Sequence, residues 1–497
     1  MNLIKYAPSA ISAAVSLLLL YISITLFLQE QFGLAMMLVL LTAGFAIIFF
    51  SKRLYTARFY YPAVAGLALF TLFPVIYTSY IGYTNYGGSN LLTFEQVQNY
   101  YTSQDLIDKE SEQAFELVAD NDLYRLWLPK TALLSAPFGE ADKGSKIELE
   151  LASQPQNVLG VRDVVKNREL LKSLTLYRGD LELQVSSLKS VAKVLPAYRL
   201  IDDTGRLQKA DGSILTPDQD VGFYKTESGE ELKPGWKVWV GTRNFDRMFH
   251  SNGIREPIGK IFVWTVIFAL VSVLATFAVG ILLALVLQWR ELKGKKVYRI
   301  LLILPYAVPG FISILVFRGL FNQNFGEINF ILSALFGIAP DWNTDPIMAK
   351  AMVLMVNIWL GYPYMMLLSM GFLQSIPEDH YKAAAIEGAG PIRQFFSITL
   401  PQILPPFVPM LISNFAFNFN NLVLIILLTK GGPDMMGTRV PAGDTDILAS
   451  FTYRIAFTDS SQDFGLAGAI SMLMFILVAV ISYINLVAMR KMARGTK

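Results

Sequence analysis

The sequence predicts a membrane all-α protein of eight spanning helices, with an α+β or mostly β domain inserted between the third and fourth. Three observations carry this. The 497 residues are 53% hydrophobic and only 16% charged, with a mean hydropathy of +0.44, whereas a soluble globular chain carries about 25% charge. Uncharged apolar runs of about 18 residues or more recur, each long enough to cross a hydrocarbon core of roughly 30 Å as a helix. One stretch, Thr84 to Pro257, has ordinary soluble composition and interrupts those runs.

The spans fall at about 9–28, 33–50, 60–83, 258–288, 297–320, 347–374, 401–429 and 464–489. The first has the look of a signal peptide, but a second run follows almost at once and no soluble domain begins after it, so it is read as retained. Basic residues set the orientation. Lys5, then Lys52, Arg53 and Arg58, then Arg290, Lys293, Lys295, Lys296 and Arg299, then Lys382 and Arg393, and finally Arg490, Lys491, Arg494 and Lys497 all fall on one side of an eight-span count. The loop after span five, "NQNFGEINFILSALFGIAPDWNTDP", has acids and no base. Both termini are therefore expected in the cytoplasm and the insertion outside it.

Within the insertion, "LTFEQVQNYYTSQDLIDKESEQAFELVAD" reads as helical. "KIELELA", "LTLYRGDLELQVSSL" and "GWKVWVGT" alternate as strands do, and "DDTG", "KADGS" and "ESGE" read as turns. A folded lobe of this size is expected to touch a soluble partner; an inert spacer is the alternative.

Several function classes are disfavoured. A net charge of +3 from scattered short clusters does not suggest nucleic-acid binding. The absence of cysteine excludes disulfides and Cys-ligated metals. His250 and His380 are the only imidazoles and read as loop residues, so no metal site is expected. The span interiors hold no Asp, Glu or His, which argues against a proton relay. Arg318 and Lys350 lie near outer span ends and read as snorkelling. No nucleophile–base set lies in the spans, and the chain has no G-x-x-x-x-G-K-[ST] loop. The chain is read as no enzyme, and energy for uphill transport would enter from elsewhere.

The stretch "YKAAAIEGAGPIRQFFSITLP", Tyr381 to Pro401, lies between spans six and seven on the cytoplasmic side. Ser375 with Glu378 matches a capping box, and Ala383, Ala384 and Ala385 favour a slim helix. Gly388 suits a left-handed cap, and Pro391 opens a second helix that passes into span seven at Pro401. Such a helix–turn–helix knob either enters a groove on another protein or rests on lipid headgroups. In span seven, Asn414, Asn418 and Asn421 fall on one helical face beside Phe417, and span six offers Asn357, Gly361 and Tyr364 at the same spacing. Amides and aromatic rings suit an uncharged sugar; amides as interhelical glue are the alternative. In "LPYAVPG", Pro305, Pro309 and Gly310 break or kink span five, as a hinge or as a static bend.

The stretch "AAAIEGAGPIRQFFSITLP" resembles the cytoplasmic EAA loop of permease subunits in binding-protein-dependent ABC importers. Ala383, Ala384, Gly388, Ala389, Ile398, Leu400 and Pro401 match the pattern; Lys382 replaces its leading Glu, and Glu387 its Asp. "GKIFVWTVIFALVSVLATFAVGILLALVLQ" resembles the family's first core helix. The eight-span layout, "GYPYMMLLSMGFLQSIPED", "FAFNFNNLVLIILLTKGGPD", "PAGDTDIL", "TYRIAF" and "QDFGLAGAI" resemble the MalF-type larger permease of maltose/maltodextrin importers.

The resemblance implies spanning helices one to three over 1–83, an extracytoplasmic domain over 84–257, and a type I permease core over 258–497 with its EAA loop at about 375–401. It implies sugar contacts at Leu360, Gly361, Tyr364, Phe417, Asn418 and Asn421, with Asn414 where the family usually has Ser, and ATPase coupling through Lys382, Ala383, Ala384, Glu387 and Gly388. Expected partners are a second, smaller permease, two ATPase subunits that bind ATP and Mg, and a periplasmic sugar-binding protein; no cofactor is expected in this chain. The implied function is translocation of maltose or maltodextrins across a bacterial inner membrane. An importer permease for another oligosaccharide or polyol, or an ion-coupled secondary carrier, is the alternative.

Overall fold

Chain length in an apolar solvent decides most of this architecture: backbone groups in hydrocarbon must be satisfied within the segment, so each long apolar run closes into a helix. The computed structural model describes residues 3–495 apart from Asp122, Asp180, Arg290 and Ser461. Arg290 and Lys497, counted above among the flanking cations, lie outside the described residues. Among the described residues, seven helices are long and apolar enough to span, within Ile11–Leu28, Phe32–Phe50, Ala57–Gly82, Asn252–Gln288, Pro346–Gln374, Pro391–Phe419 and Phe464–Val487. The predicted fifth span is instead a broken pair, Lys295–Ala307 and Gly310–Leu320, bent by 93°. Pro309 precedes the second helix of the pair, and Val308 between them is extended, which removes the ladder bonds that would keep a helix straight.

Two further helices differ from expectation. The fourth begins at Asn252, before the expected 258. The seventh does not begin at Pro401 and run to 429: it is continuous from Pro391 through a π-turn at Phe395–Thr399 to Phe419, then breaks, and a short helix resumes at Leu422–Leu428. Proline at the first turn of a helix removes no needed donor, so Pro391 starts the span; Pro401 lies just after the π-turn and does not end the span.

Packing within the membrane unit relies on small residues, as expected where lipid offers no hydrophobic drive for helix association. A Cβ on Gly82 would sit 2.9 Å from the Ala469 nitrogen, and one on Gly468 would sit 2.8 Å from the Gly82 nitrogen, so spans three and eight touch backbone to backbone. Asn244, on the short helix Arg243–His250, donates to the Gly82 carbonyl (3.0 Å) and the Thr84 carbonyl (2.8 Å), satisfying the exposed end of span three. Arg58 closes the end of span two, donating to the Phe49 carbonyl at 2.7 Å, a favourable place for a cation.

The loop after Leu428 is held by a buried ion pair. Asp446 is fully buried, and Arg454 binds it at 2.7 Å and Asp434 at 2.6 Å. The Gly443 N–H (2.8 Å) and the Ser450 hydroxyl (2.8 Å) also donate to Asp446. Burial pushes its carboxyl up to about 6, against the pull of the Arg454 guanidinium.

The second compact unit is Ser89–Val238. The residues flanking it belong with the membrane unit: the Val240 N–H, for example, bonds the Tyr83 carbonyl at 2.8 Å. The lobe is mostly β. An eight-stranded sheet runs, in spatial order, 113–114, 190–192, 181–185, 175–178, 146–151, 133–135, 123–128 and 116–120. Every neighbouring pair is antiparallel except 146–151 with 175–178. Leu117, Leu126, Leu149, Leu176 and Leu183 fill its core against Leu170 and Leu171 from a short helix. A five-stranded antiparallel meander, from Tyr198–Leu200 to Glu231–Leu232, packs Tyr224, Leu207 and Leu215 on Tyr101 and Trp236.

"DDTG", "KADGS" and "ESGE" are turns of this meander. The first opening segment is helical only over Phe94–Thr102, and Gln113–Ala114 and Glu116–Asp120 are strands. At the helix end the Ser103 hydroxyl donates to the Tyr100 carbonyl (3.0 Å), and further on Leu117 lies in the sheet core. "GWKVWVGT" is not a strand: Trp236 and Trp239 make only isolated bridges, and Trp236 instead anchors the meander core.

Candidate functional site

A cavity of about 1340 Å³ opens among the fourth to seventh spans. Its walls are Thr276 of span four, the broken turn from Pro305 to Phe311, span six from Asn357 to Tyr364, and span seven from Pro409 to Leu424. Leu360, Gly361, Tyr364, Asn414, Phe417, Asn418 and Asn421 all border it. Among the described residues that line it there is no Asp, Glu, Lys, Arg or His. The wall is therefore uncharged, rich in amides and aromatic in part, with Phe417 68% and Tyr364 42% exposed.

The amides form a directed chain. Asn421 Nδ2 donates to Asn357 Oδ1 (3.3 Å), Asn357 Nδ2 to Asn418 Oδ1 (2.7 Å), and Asn418 Nδ2 to Asn414 Oδ1 (3.0 Å). Asn357 and Asn418 are buried, 6% and 3% exposed. Asn414, Asn418 and Asn421 do not, however, share one unbroken helical face. The helix ends at Phe419, and Asn421 caps the next helix, accepting from the Leu424 N–H at 3.4 Å. Asn side chains compete with helical backbone bonds in this way. The break turns Asn421 toward span six, so the fold brings the three amides together by a route that periodicity does not describe.

Gly361 also has a packing reason. A Cβ there would lie 2.8 Å from Thr276 Cγ2, so its small size admits span four as well as opening the cavity wall. Asn357, read from sequence at helical spacing with Gly361 and Tyr364, is the centre of the amide chain. Asn420, Tyr306 and Ser413 also line the cavity. Nothing in residue type or spacing marks Tyr306 or Ser413, which reach the cavity only because spans five and seven bend and pack there.

The knob lies at the other end of these helices. Glu378–Ile386 is helical, but Ser375 does not cap it: its hydroxyl donates to the Phe372 carbonyl (2.7 Å) at the end of span six, and Pro377 precedes the new helix. The proline lacks an N–H and takes the extended cap conformation, so the capping box is not formed. At the far end Gly388 has φ +80°. Its N–H bonds the Ala385 carbonyl (3.0 Å), and the Ala389 N–H bonds Ala384 (2.9 Å), a Schellman cap.

The Tyr381 and Thr399 hydroxyls meet at 2.9 Å and tie the short helix to span seven. Lys382 pairs with Asp379 (2.9 Å) and more loosely with Glu378 (3.9 Å), so the lysine's charge is met within its own helix. Ile386 is 88% and Ile392 77% exposed, and Ala383, Glu387 and Gly388 are also on the surface. Among the described residues no group of His, Asp or Glu could hold a metal ion.

A helical membrane unit with an uncharged cavity, an extramembrane β-rich lobe and a protruding capped loop defines a transport permease. Residues 276–492 match the model of the binding-protein-dependent transport system inner membrane component, and residues 92–241 that of the maltose transport system permease protein MalF P2 domain. The maltose/maltodextrin transport system permease protein MalF of Vibrio vulnificus strain YJ016 is 46% identical over 493 residues, covering 96% of this chain and 93% of that protein. Its counterpart in Klebsiella aerogenes is 45% identical over 492 residues, covering 95% of each. A crystal structure of a bacterial ABC transporter involved in import of the acidic polysaccharide alginate matches at 23% identity and a TM-score of 0.41, covering 52% of this chain and 85% of that one. The chain belongs to the MalF family of maltose/maltodextrin transport system permeases.

Proposed function

We propose that this chain is the larger permease of an ATP-driven importer and carries maltose or maltodextrins through the cavity among spans four to seven. The observation that supports this best is the uncharged, amide-lined cavity itself, bordered by Leu360, Gly361, Tyr364, Asn414, Phe417, Asn418 and Asn421. A sugar offers hydroxyls that both donate and accept, which amides match, and C–H faces that suit Tyr364 and Phe417. An ion would find no counter-charge in this wall. Asn414 is larger than the serine usual at that family position, and it adds a donor that bears on which sugar length is favoured.

Transport is driven from outside the chain. Two ATPase subunits bind ATP and Mg, and one of them receives the Glu378–Ile386 helix and its Gly388 cap in a surface groove. Lys382, Ala383, Ala384, Glu387 and Gly388 form the contact, with the exposed Ile386 and Ile392 supplying apolar area. Closure of the ATPases moves the knob, and the rigid tie between Tyr381 and Thr399 passes that motion to span seven.

The broken helix pair acts as one span, giving eight in all, of which spans four to eight form a type I permease core. Both termini lie in the cytoplasm of a bacterial cell whose inner membrane holds the complex, and the Ser89–Val238 lobe faces the periplasm, where a sugar-binding protein docks. A second, smaller permease completes the pathway. Reconstitution of the chain with these partners tests the reading: maltose uptake into proteoliposomes is expected only with ATP and the ATPase subunits, and uptake driven by an ion gradient through this chain alone would overturn it.

A further inference from the structure

A second, smaller cavity of about 220 Å³ lies where the last turn of Gly310–Leu320 meets the end of Leu422–Leu428. Arg318, Asn322, Trp342, Asn343, Thr429 and Lys430 are among the residues that line it. Two cations thus border one small polar space with no acid among the described residues of its wall. Several cations on this end of the membrane unit are matched: Arg247 by Asp463, Lys260 by Glu256, Lys350 by Asp444 and Arg454 by Asp434 and Asp446. Neither Arg318 nor Lys430 makes an ion pair among the described residues. Two acids of the adjoining loop are engaged elsewhere. Asp341 accepts from Gln323, and Asp345 caps span six through the Ile347 and Met348 N–H groups.

Backbone conformation adds an independent argument. Lys430 has φ +56°, a left-handed conformation in which a side chain is strained, and its N–H closes onto the Ile425 carbonyl at 2.8 Å. Glycine serves that position at lower cost, and Gly431 and Gly432 follow immediately. A strained lysine at a cavity rim points to a use for its side chain. Asn322 contributes further: its Oδ1 already accepts from the Asn324 and Phe325 N–H groups, both at 3.0 Å, which leaves its amide NH₂ to donate.

We infer that this cavity is a socket for a carboxylate, supplied by an acidic side chain of the extracytoplasmic binding protein. The inference rests on the proposed reading of the chain as a permease fed by such a protein, which places this end of the bundle outside the cytoplasm. A sugar would leave both cations unneutralised, and the space is small against the 1340 Å³ of the main cavity. A carboxylate matches the Arg318 fork and the Lys430 ammonium together, and such pairs govern encounter and orientation of a docking protein.

The test uses the assembled transporter in nanodiscs of phosphatidylcholine alone, with sugar-loaded binding protein titrated against ATPase activity. Arg318→Gln combined with Lys430→Gly removes both charges while the glycine retains the left-handed turn. The double variant is expected to need about tenfold more binding protein for half-maximal stimulation, with a flatter salt dependence and unchanged basal and saturated rates. An unchanged half-maximal concentration and salt response would overturn the socket. A defect that appears only when phosphatidylglycerol is added would instead assign the cations to lipid phosphate and also overturn it. Wild-type transporter that shows no stimulation at all would contradict the importer reading itself, a separate outcome.

Discussion

Asn357 of span six donates to Asn418 of span seven at 2.7 Å, with both side chains buried. This bond joins the two helices that carry most of the proposed sugar contacts. Replacing Asn357 by Leu leaves the Asn418 carbonyl oxygen without its donor, a loss of about 1–3 kcal/mol for a buried polar group. Thermal unfolding of the detergent-purified complex is expected to shift down accordingly, with weaker sugar uptake because the amide chain loses its centre.

Asn418→Leu separates glue from sugar path. It removes an amide at the cavity wall and conserves volume closely. Maltose uptake is expected to fall at least about tenfold, the scale of one or more lost charge-free hydrogen bonds, with assembly on the ATPase subunits intact by co-purification. Normal uptake would return Asn418 to a packing role.

Gly388→Val tests the knob. A β-branched residue is poorly tolerated at φ +80°, so the Schellman cap distorts while the spans remain. ATP hydrolysis is expected to continue with uptake reduced. The measurement is the ratio of sugar transported to ATP hydrolysed in proteoliposomes.

Arg454→Met tests the loop between the last two spans. It strands the buried Asp446 carboxylate, and removal of one partner from a buried pair costs about 3–5 kcal/mol. Asp434, whose side chain is 76% exposed, has water in place of the lost partner. Asp434→Asn is therefore expected to be much milder, and the two unfolding temperatures together check the assignment.

The spans were legible because length and charge decide membrane crossing almost alone. The bend at "LPYAVPG" was legible because proline removes backbone donors, and the Gly388 cap because few other residues accept its φ. The break after Phe419 was not: the amides Asn414, Asn418 and Asn421 also fit one face of an unbroken helix, and only the Asn421 side chain, accepting from the Leu424 N–H, marks the interruption. Ser375 had the right spacing for a cap, but span six had already claimed its hydroxyl. In the lobe, packing of Leu117 in the sheet core claims residues that local composition assigns to the first helix, and Trp236 leaves strand geometry for the meander core. In each case a tertiary or capping contact overrides local pattern, which single-residue preferences do not encode.

In the proposed pathway, sugar occupies the large cavity during transport. The chain has no cysteine, so Ser413→Cys places one thiol in the wall beside Asn414. The rate of its modification by a small water-soluble maleimide, measured in the assembled transporter held outward-facing, is the most direct test. Saturating maltose is expected to slow modification at least several-fold, and sucrose, if not carried, to leave it unchanged; equal rates with and without maltose, in a transporter shown to import it, would contradict sugar passage through this cavity.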